Sequence, residues 1–447
     1  MKKSIYFTVL TAFISFTSLA QEEKSSFSVA EAEQYATEHA EKIRNANLDI
    51  QAAEKKIWET IAIGLPQVSI DGQFQQLIDI PVSVVPANVF NPAAPEGELA
   101  ALEFGVEYSM NAGIGVNQLL FDGSYIVGLQ FSKFYKKIAQ TALEKTEQDT
   151  RAYVREAYYN ALTAQRNVDL LDSIAVTTKQ LWEQSKGYYD AGFMLQEDLD
   201  QFEIAFNRME LNLSNANNQL QIAKNFLKLQ MGIPLQNDIQ LSQSFDQVVA
   251  EIESNNPALK SFSIENNFNY ILMDQQKVLS EYALKNEKAA YLPQAFAFFN
   301  HQQNGFGSEF MFFQSSQEWF PTTAWGIGLK IPVTSSGQRI AKVQQAEIKL
   351  QQNQNNVDEL KRTLSFQELQ LKSMFINAYE KMHLEEKNVA LAQNIYSKAL
   401  ARKKEGAVSA LDVTQKQNQL LQAEGSYIGA VMEMLNYKIQ IDKLYNQ

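Results

Sequence analysis

The chain of 447 residues contains no cysteine. It therefore cannot form a disulfide framework, a thiolate metal site or a lipid anchor on an N-terminal cysteine. Its three histidines, His39, His301 and His383, lie far apart and lack the short spacings of a zinc site. The sequence also lacks a Walker loop, a His-Glu-x-x-His motif and a Gly-x-Ser-x-Gly motif. These absences predict a protein that is not an enzyme and that has no cofactor or metal.

Long apolar runs are also scarce. The run from Ile5 to Leu19 follows Met1-Lys2-Lys3 and precedes a polar segment, which predicts a secretory signal peptide over residues 1–20. A transmembrane anchor is the alternative, but the run is shorter than the roughly 20 residues that a spanning helix needs. No later run reaches that length, so helical spans are excluded, whereas transmembrane strands of about 9 to 11 alternating residues are not.

No basic segment stands out in the sequence. The net charge is −12, and it becomes −14 once the signal peptide removes Lys2 and Lys3. A surface that binds DNA or RNA would need clustered lysine and arginine, so nucleic acid is not an expected partner. The acidic balance bears on solubility and on a preference for cations.

Proline is absent from residues 124–233 and 335–447, so nothing in these two stretches forces a helix to break. Apolar residues recur at alternating steps of three and four in the first stretch and at steps of seven in the second, and both spacings correspond to the 3.5-residue period of a coiled coil. Examples are Val154, Ala157, Ala161, Ala164 and Val168 in the first stretch, and Val343, Leu350, Val357, Leu364 and Leu371 in the second. Each stretch is predicted to be a long antiparallel helical hairpin, for which an ordinary coiled coil is the alternative.

The two stretches belong to a predicted duplication. The same offset of 214 residues relates three pairs, namely Gly123 and Gly337, Gly192 and Gly406, and Asp198 and Asp412. A shared offset over three landmarks indicates that a whole unit is repeated. The predicted repeats cover residues 21–237 and 238–447, each with a helix, two strands and a long helical hairpin. The polar segment 236–256 is predicted to connect them beside the helices.

Two prolines mark the start of strands before each hairpin. Pro66 and Pro293 end shorter helical segments, predicted over residues 30–63 and 257–290, because the residue before proline is pushed out of the helical region. Apolar side chains then alternate with polar or small ones, as in half-buried strands. The alternating apolar residues are Val68, Ile70 and Phe74, then Val106 to Val116, and in the second repeat Phe296 and Phe298, then Trp325, Ile327, Leu329 and Ile331. Each repeat thus supplies two strands.

The loops between paired strands are long. The second loop, residues 302–322, carries six aromatic residues, which suit the girdle of a membrane interface. The core of a small soluble domain is the alternative. Four strands with one apolar face cannot stand alone in lipid, because the sheet edges would leave backbone groups without partners. Two copies would give eight strands with a filled interior, and three would give twelve with the beginning of a lumen.

Over its whole mature length the chain resembles the TolC family of outer-membrane efflux channels. The motifs that carry the resemblance are Leu65-Pro66-Gln67 and Leu292-Pro293-Gln294 before a strand, Gln118 to Gly123 and Lys330 to Val333 at the end of a strand, and Tyr188 to Gly192 and Lys403 to Gly406 at the hairpin turns. The resemblance implies an α+β membrane protein, a homotrimer with a 12-stranded transmembrane β-barrel, four strands per protomer, continued by a long periplasmic α-helical coiled-coil barrel.

The resemblance also assigns roles to the hairpin turns. It implies that Asp198 and Asp412 are gate or constriction residues, and that a periplasmic adaptor contacts the tip at Gly192, Phe193, Lys403, Gly406 and Val408. Three copies of a carboxylate facing a narrow lumen would attract cations. The alternative for both aspartates is a helix N-terminal residue that binds backbone amides. Lys403, Val408 and Gln415 stand where the family's best-known members carry a tyrosine, an arginine and an acid.

The expected function is therefore a passive exit duct in the outer membrane of a Gram-negative bacterium, with a large periplasmic portion. Its implied partners are a periplasmic adaptor (membrane fusion) protein, an inner-membrane pump or ABC exporter, and outer-membrane lipid. Drugs and other small toxic compounds or polypeptides are the expected cargo of such an efflux or type I secretion system. A periplasmic or surface coiled-coil protein of structural or adhesive function is the alternative, but it leaves the strands and aromatic loops unexplained.

Overall fold

The computed structural model of the chain describes residues 26–93, 95–255 and 257–446, so the predicted signal peptide lies outside the described residues. The chain divides into two compact units. We call them the helical unit, within Met1–Glu41, Asp149–Lys260 and Leu371–Lys443, and the sheet unit, within Lys42–Gln148, Ser261–Gln370 and Leu444–Gln447.

Helices make up most of the described chain. The helices are α1 (Val29–His39), α2 (Glu41–Ile63), α3 (Gly123–Asp190), α4 (Gln196–Met231), α5 (Phe245–Ser254), α6 (Phe268–Ala289), α7 (Gln338–Lys404) and α8 (Ala410–Tyr445). The strands are β1 (Ser26–Phe27), β2 (Gln67–Gln76), β3 (Val82–Pro86), β4 (Leu99–Glu103), β5 (Tyr108–Phe121), β6 (Gln240–Leu241), β7 (Gln294–Gly307) and β8 (Trp319–Lys330). None of these described helices is both long enough and apolar enough to cross a membrane.

The sheet unit contains one four-stranded antiparallel sheet, in the order β2, β5, β7, β8. Pro66 and Pro293 directly precede β2 and β7, where the two helices α2 and α6 have ended. Strands β5 and β8 are in turn followed by α3 and α7. Because the strands are antiparallel, all four junctions with helices lie at one end of the sheet. The two loops that join paired strands, residues 77–107 and 308–318, lie at the other end.

The two faces of the sheet differ in polarity, because side chains alternate along each strand. The register places on one face Val68, Ile70, Phe74, Met110, Ile114, Val116, Phe299, Trp319, Trp325 and Ile327, and we call this the apolar face. The register places on the opposite, polar face Ser69, Asp71, Gln73, Asn111, Asn300, Gln302, Asn304 and Thr322. The alternation that was predicted from the sequence is therefore present in β2, β5 and β8, but in β7 the prediction was wrong, because Phe296 and Phe298 lie on the polar face and Phe299 lies on the apolar face.

Two of the phenylalanines on the polar face have room because glycines face them on the neighbouring strand. Phe298 is paired with Gly326, and Phe296 with Gly328. A Cβ atom added at Gly326 would come within 2.8 Å of the Phe298 ring, and one at Gly328 within 2.2 Å of the Phe296 ring. The aromatic rings thus cover the bare backbone of the neighbouring strand, an arrangement that requires glycine at both positions.

Some local structure differs from the sequence prediction. Residues 82–103, predicted as loop, contain the antiparallel hairpin of β3 and β4, in which Val84 faces Ala101. Residues 257–290, predicted as one helix, begin with short 3₁₀ turns, and α6 starts only at Phe268. The Asn267 side chain fixes that start, because its oxygen accepts hydrogen bonds from the amides of Asn269 and Tyr270.

The connector between the predicted repeats is also more ordered than its polar composition suggests. It contains β6, which pairs in parallel with β1, and the helix α5. Ser244 and Gln247 form a capping box at the start of α5. The buried residues of this helix are Phe245, Val248, Val249 and Ile252. An amphipathic helix of ten residues therefore lies within the segment that was predicted as a simple connector.

An ion-pair network joins distant segments of the helical unit. Nε of Arg155, in α3, donates to Glu33 Oε1 in α1 at 2.6 Å, and another guanidinium nitrogen donates to Asp442 Oδ2 in α8 at 2.5 Å. Lys438 also donates to Asp442, at 2.6 Å. The Asp442 side chain is 7 % exposed and the Arg155 side chain 16 %. Removing one partner from such a buried pair typically costs about 3 to 5 kcal/mol.

Candidate functional site at the hairpin turns

The two hairpin turns of the helical unit share one backbone geometry. Gly192 and Gly406 have φ angles of 79° and 71°, in the left-handed region that favours glycine. The amide hydrogen bonds that close the turns are Gly192 to Tyr189 (2.9 Å) and Phe193 to Tyr188 (2.8 Å), and Gly406 to Lys403 (3.0 Å) and Ala407 to Arg402 (2.9 Å). Both sets form the Schellman motif that ends many helices. Each residue in the hydrogen bonds of the first turn corresponds to the residue 214 positions later in the second turn.

The turns enclose a cleft of about 750 Å³. Its lining residues are Leu181, Gln184, Ser185, Tyr188, Phe193, Met194, Leu195 and Asp198 from the first hairpin, and Lys403 to Ser409 and Asp412 from the second. The cleft brings together six of the seven residues that were predicted for the gate and tip, and Gly192 lies in the turn beside them. Their gate and adaptor roles remain predictions.

Asp412 caps the helix that follows the second turn. Its Oδ2 atom accepts hydrogen bonds from the amide of Ser409 at 3.3 Å and from the Ser409 hydroxyl at 3.0 Å. The amide of Asp412 in turn donates to Ser409 Oγ at 3.1 Å. This reciprocal pair is a capping box, and the carboxylate also lies at the positive end of the helix dipole. The helix-terminal role that was considered as the alternative for Asp412 is therefore present, and it leaves the side chain exposed.

Asp198 occupies the same position after the first turn but in a different setting. It lies in the first turn of α4 and is half-buried. The N-cap of this helix is Leu195, whose side chain makes no capping hydrogen bond. Leu195 is equivalent to Ser409, so the capping box of the second turn has no counterpart at the first. The two aspartates are thus related by sequence position but not by local contacts.

Lys403 and Val408 occupy the positions where the resemblance led us to expect a tyrosine and an arginine. The Lys403 ammonium lies 5.4 Å from the centre of the Phe202 ring, within the range of a cation–π interaction. Val408 is half-buried and packs against the hydrophobic core beneath the turns. At these two positions Lys403 therefore makes a cation–π contact, and Val408 contributes to packing.

A hydrophobic core, here called the turn core, supports both turns. Its buried members are Leu171, Ile174, Ala175, Leu181, Phe202, Met209, Ala216, Ala392, Tyr396, Ala410, Val413 and Leu420. Burial raises the pKa of Tyr396 to about 12. Within the same region Gln417 Nε2 donates to Thr178 Oγ1 at 3.0 Å, and both residues are buried. A buried polar pair of this kind favours one register of the helices, because slippage would remove this hydrogen bond from the buried Gln417 amide.

Several cleft residues were not predicted from the sequence. Leu195, Lys404 and Ser409 line the cleft together with the predicted residues. For Ser409 a signal was available, since Ser409-Ala410-Leu411-Asp412 fits the capping-box pattern. The described residues contain no group of three or more histidine, aspartate or glutamate side chains that could hold a metal ion.

Part of the chain is similar in sequence to known proteins. The family model described as outer membrane efflux protein matches residues 33–232. The alkaline protease secretion protein AprF of Pseudomonas aeruginosa is 22% identical over 253 residues, which are 55% of this chain and 50% of that protein. The chain therefore spans about half the length of the curated relative that it matches.

Solved structures extend the similarity to nearly the whole chain. The Campylobacter jejuni CmeC outer membrane channel matches with a TM-score of 0.68 and 14% identity, over 100% of this chain and 94% of that one. The open state of the Neisseria gonorrhoeae MtrE outer membrane channel matches with a TM-score of 0.67 and 14% identity, over 93% of this chain and 88% of that one. At such identities the similarity shows a shared fold.

Proposed function

Because residues 33–232 match the family model of outer membrane efflux proteins, we propose that the chain is a member of the TolC family and forms the outer-membrane channel of a tripartite efflux or type I secretion system. It is an outer-membrane protein with a large periplasmic portion. The channel is a passive exit duct for small molecules or polypeptides and performs no chemical reaction. Energy for export comes from an inner-membrane pump or ABC exporter, which a periplasmic adaptor joins to the channel.

The observation that carries this proposal is the sheet, which has one apolar face, one polar face and two edge strands. In the described residues β2 and β8 each pair with a strand on one side only. They run antiparallel to each other, so β8 of one copy can form an antiparallel pair with β2 of the next copy. Closing the ring satisfies backbone groups that would otherwise lack partners in lipid. Three copies give a 12-stranded barrel with its apolar face toward lipid and its polar face toward a lumen.

The proposed gate is the cleft at the hairpin turns. Two turns from each of three copies surround one periplasmic mouth, at which the adaptor binds near Gly192 and Gly406. Asp198 and Asp412 contribute carboxylates to this mouth, where low-dielectric walls strengthen their attraction for cations. The repeats over residues 21–237 and 238–447 account for the six similar turns. The proposed repeats are supported by the helix bounds, because α8 begins and ends 214 residues after α4.

A matched pair of variants tests the proposed membrane placement of the sheet. Trp325 lies on the apolar face and is 78 % exposed, whereas the adjacent Ala324 lies on the polar face. Trp325→Arg would place a charge in lipid, at a cost of about 2 to 4 kcal/mol near the bilayer midplane. It is expected to reduce the amount of assembled trimer in the outer membrane. Ala324→Arg is expected to assemble normally and to reduce cation selectivity.

Purified trimers in planar bilayers provide the functional measurement. The wild-type chain is expected to give stable ion conductance and a trimer band after cross-linking. A monomer without conductance would contradict the channel proposal. Equal tolerance of the two arginine variants would contradict the assignment of the apolar face to lipid.

A further inference from the structure

The loop between β7 and β8 folds back onto the apolar face of the sheet. One row of this face runs across all four strands, where Phe74 pairs with Met110, Met110 with Gly305, and Gly305 with Trp319. This row lies near the end of the sheet that carries the loops. The loop, residues 308–318 and here called the aromatic loop, covers the row on its apolar side.

Phe312 anchors the aromatic loop above the one residue in the row that lacks a side chain. A Cβ atom added at Gly305 would come within 3.1 Å of the Phe312 ring and 3.3 Å of Trp319. The Phe312 ring centre lies 6.1 Å from that of Phe74 and 6.3 Å from that of Trp319. Phe312 is only 3 % exposed. The residues that Phe312 contacts, Phe74, Gly305 and Trp319, are here called its seat. They extend from the β8 edge strand to the β2 edge strand.

The remaining apolar residues of the aromatic loop are exposed. Phe310, which contacts Phe74 and Phe312 with ring centres 5.4 and 5.7 Å away, is 54 % exposed. Phe313 is 80 % exposed, and Met311 is 39 % exposed. The side chain of Gln317 donates to the carbonyl of Phe306 at 3.3 Å and so holds the far part of the loop to the end of β7. The loop thus presents three apolar side chains in a fixed position.

We propose that Phe310, Met311 and Phe313 form a lipid-contacting collar that continues the apolar face into the interfacial region of the outer leaflet. The inference rests on the proposed placement of the sheet in the membrane. Its support is continuity, since the seat of Phe312 belongs to the face that also carries Ile70 and Trp325. Aromatic side chains are favoured at such interfaces. The loop is therefore an anchor on the outside of the barrel and not a cover over its lumen.

Site-specific fluorescence can test the collar, because the chain contains no cysteine of its own. Phe313→Cys would carry an environment-sensitive dye in the full-length trimer, reconstituted in phospholipid vesicles. Quenching by a bromine-labelled phospholipid and by aqueous iodide is then compared. Glu96→Cys, in the exposed loop between β3 and β4, is the matched control. The Phe313 label is expected to be blue-shifted and quenched mainly by lipid, whereas the Glu96 label is expected to be quenched mainly by iodide.

A second variant tests the seat. Adding Phe312→Ser to the Phe313→Cys chain removes the anchor but leaves the strands intact, so the label is expected to lose lipid quenching and to gain iodide quenching. Strong iodide quenching of the Phe313 label in the parent would overturn the collar, as would protection from both quenchers, which would indicate cover by protein. Conductance of the same trimers tests the channel function separately. Lipid quenching without conductance would contradict the channel function and leave the lipid contact standing.

Discussion

The two hairpin turns have the same backbone but different side chains. Both contain a glycine with a positive φ angle and the same pair of closing hydrogen bonds. At the first turn Leu195 is the N-cap residue of α4 but makes no capping hydrogen bond, and Phe202 is buried in the turn core. In the second turn Ser409 and Asp412 cap α8, and Lys416 occupies the position equivalent to Phe202. The shared backbone shows that glycine and the Schellman bonds suffice for the turn, so the side chains are free to differ in how they hold the following helix.

The largest expected difference concerns Phe202 and Lys416. Phe202 is 1 % exposed in the turn core, so Phe202→Ala is expected to cost about 3 to 5 kcal/mol. Lys416→Ala is the matched control and is expected to change stability by about 0.5 kcal/mol or less. Hydrogen exchange of the amides in α4 and α8 measures the local opening free energy. Equal losses in the two variants would show that the turn core does not support the first turn preferentially.

The glycines should behave alike. Gly192→Ala and Gly406→Ala each place a Cβ atom in the left-handed region, which costs roughly 1 to 2 kcal/mol. Nothing lies within 4 Å of a Cβ atom added at either position, so backbone strain is the only expected cause. The measurement is again hydrogen exchange across both turns. Clearly unequal losses of stability would show that the backbones of the two turns are not equivalent.

Substitutions at the two N-cap positions are expected to change helix stability in opposite directions. Ser409→Ala removes the capping hydrogen bonds of α8 and is expected to cost about 1 kcal/mol. Leu195→Ser introduces a capping residue at the equivalent position and is expected to stabilise α4 by a similar amount. Exchange rates of the first-turn amides in each helix report the change. Failure of Leu195→Ser to slow exchange would show that the first turn cannot accommodate the capping geometry.

The smallest expected effects concern ion selectivity. Asp412→Ala and Asp198→Ala are each expected to reduce cation selectivity, or blockage by multivalent cations, in planar bilayers. Ser409→Ala is the control for Asp412, because it removes the cap but retains the carboxylate. Selectivity that is unchanged by Asp412→Ala would remove that aspartate from the proposed gate and leave its capping role.

Periodic features of the chain were predictable from the sequence, and the family resemblance and the outer-membrane location are confirmed. The absence of proline and the heptad spacing predicted both hairpins, and alternation after Pro66 and Pro293 predicted the four main strands. Features that depend on few residues were not predicted. The β3–β4 hairpin lies in a segment whose prolines suggested a loop, and α5 is only ten residues long. Short elements carry too few apolar positions for a period to stand out.

The contents of the candidate site were predictable only in part. Equivalent positions in the two repeats identified Asp198, Asp412 and the two turn glycines. The 214-residue offset does not distinguish the contacts of the two aspartates, whereas the residue types at the N-caps do, because the Ser409 side chain can accept a hydrogen bond and that of Leu195 cannot. The cation–π contact of Lys403 likewise depends on Phe202, which lies on another helix.

The ion-pair network of Arg155 sets an order of events for an exported chain. Glu33 precedes Arg155 by 122 residues, and Asp442 follows it by 287. The network is therefore complete only after the last helix has been synthesised and translocated. Contacts over such separations are slow to form, because the intervening chain must lose much of its freedom first. Until α8 is synthesised, Arg155 can pair with Glu33 but still lacks its second carboxylate partner, Asp442.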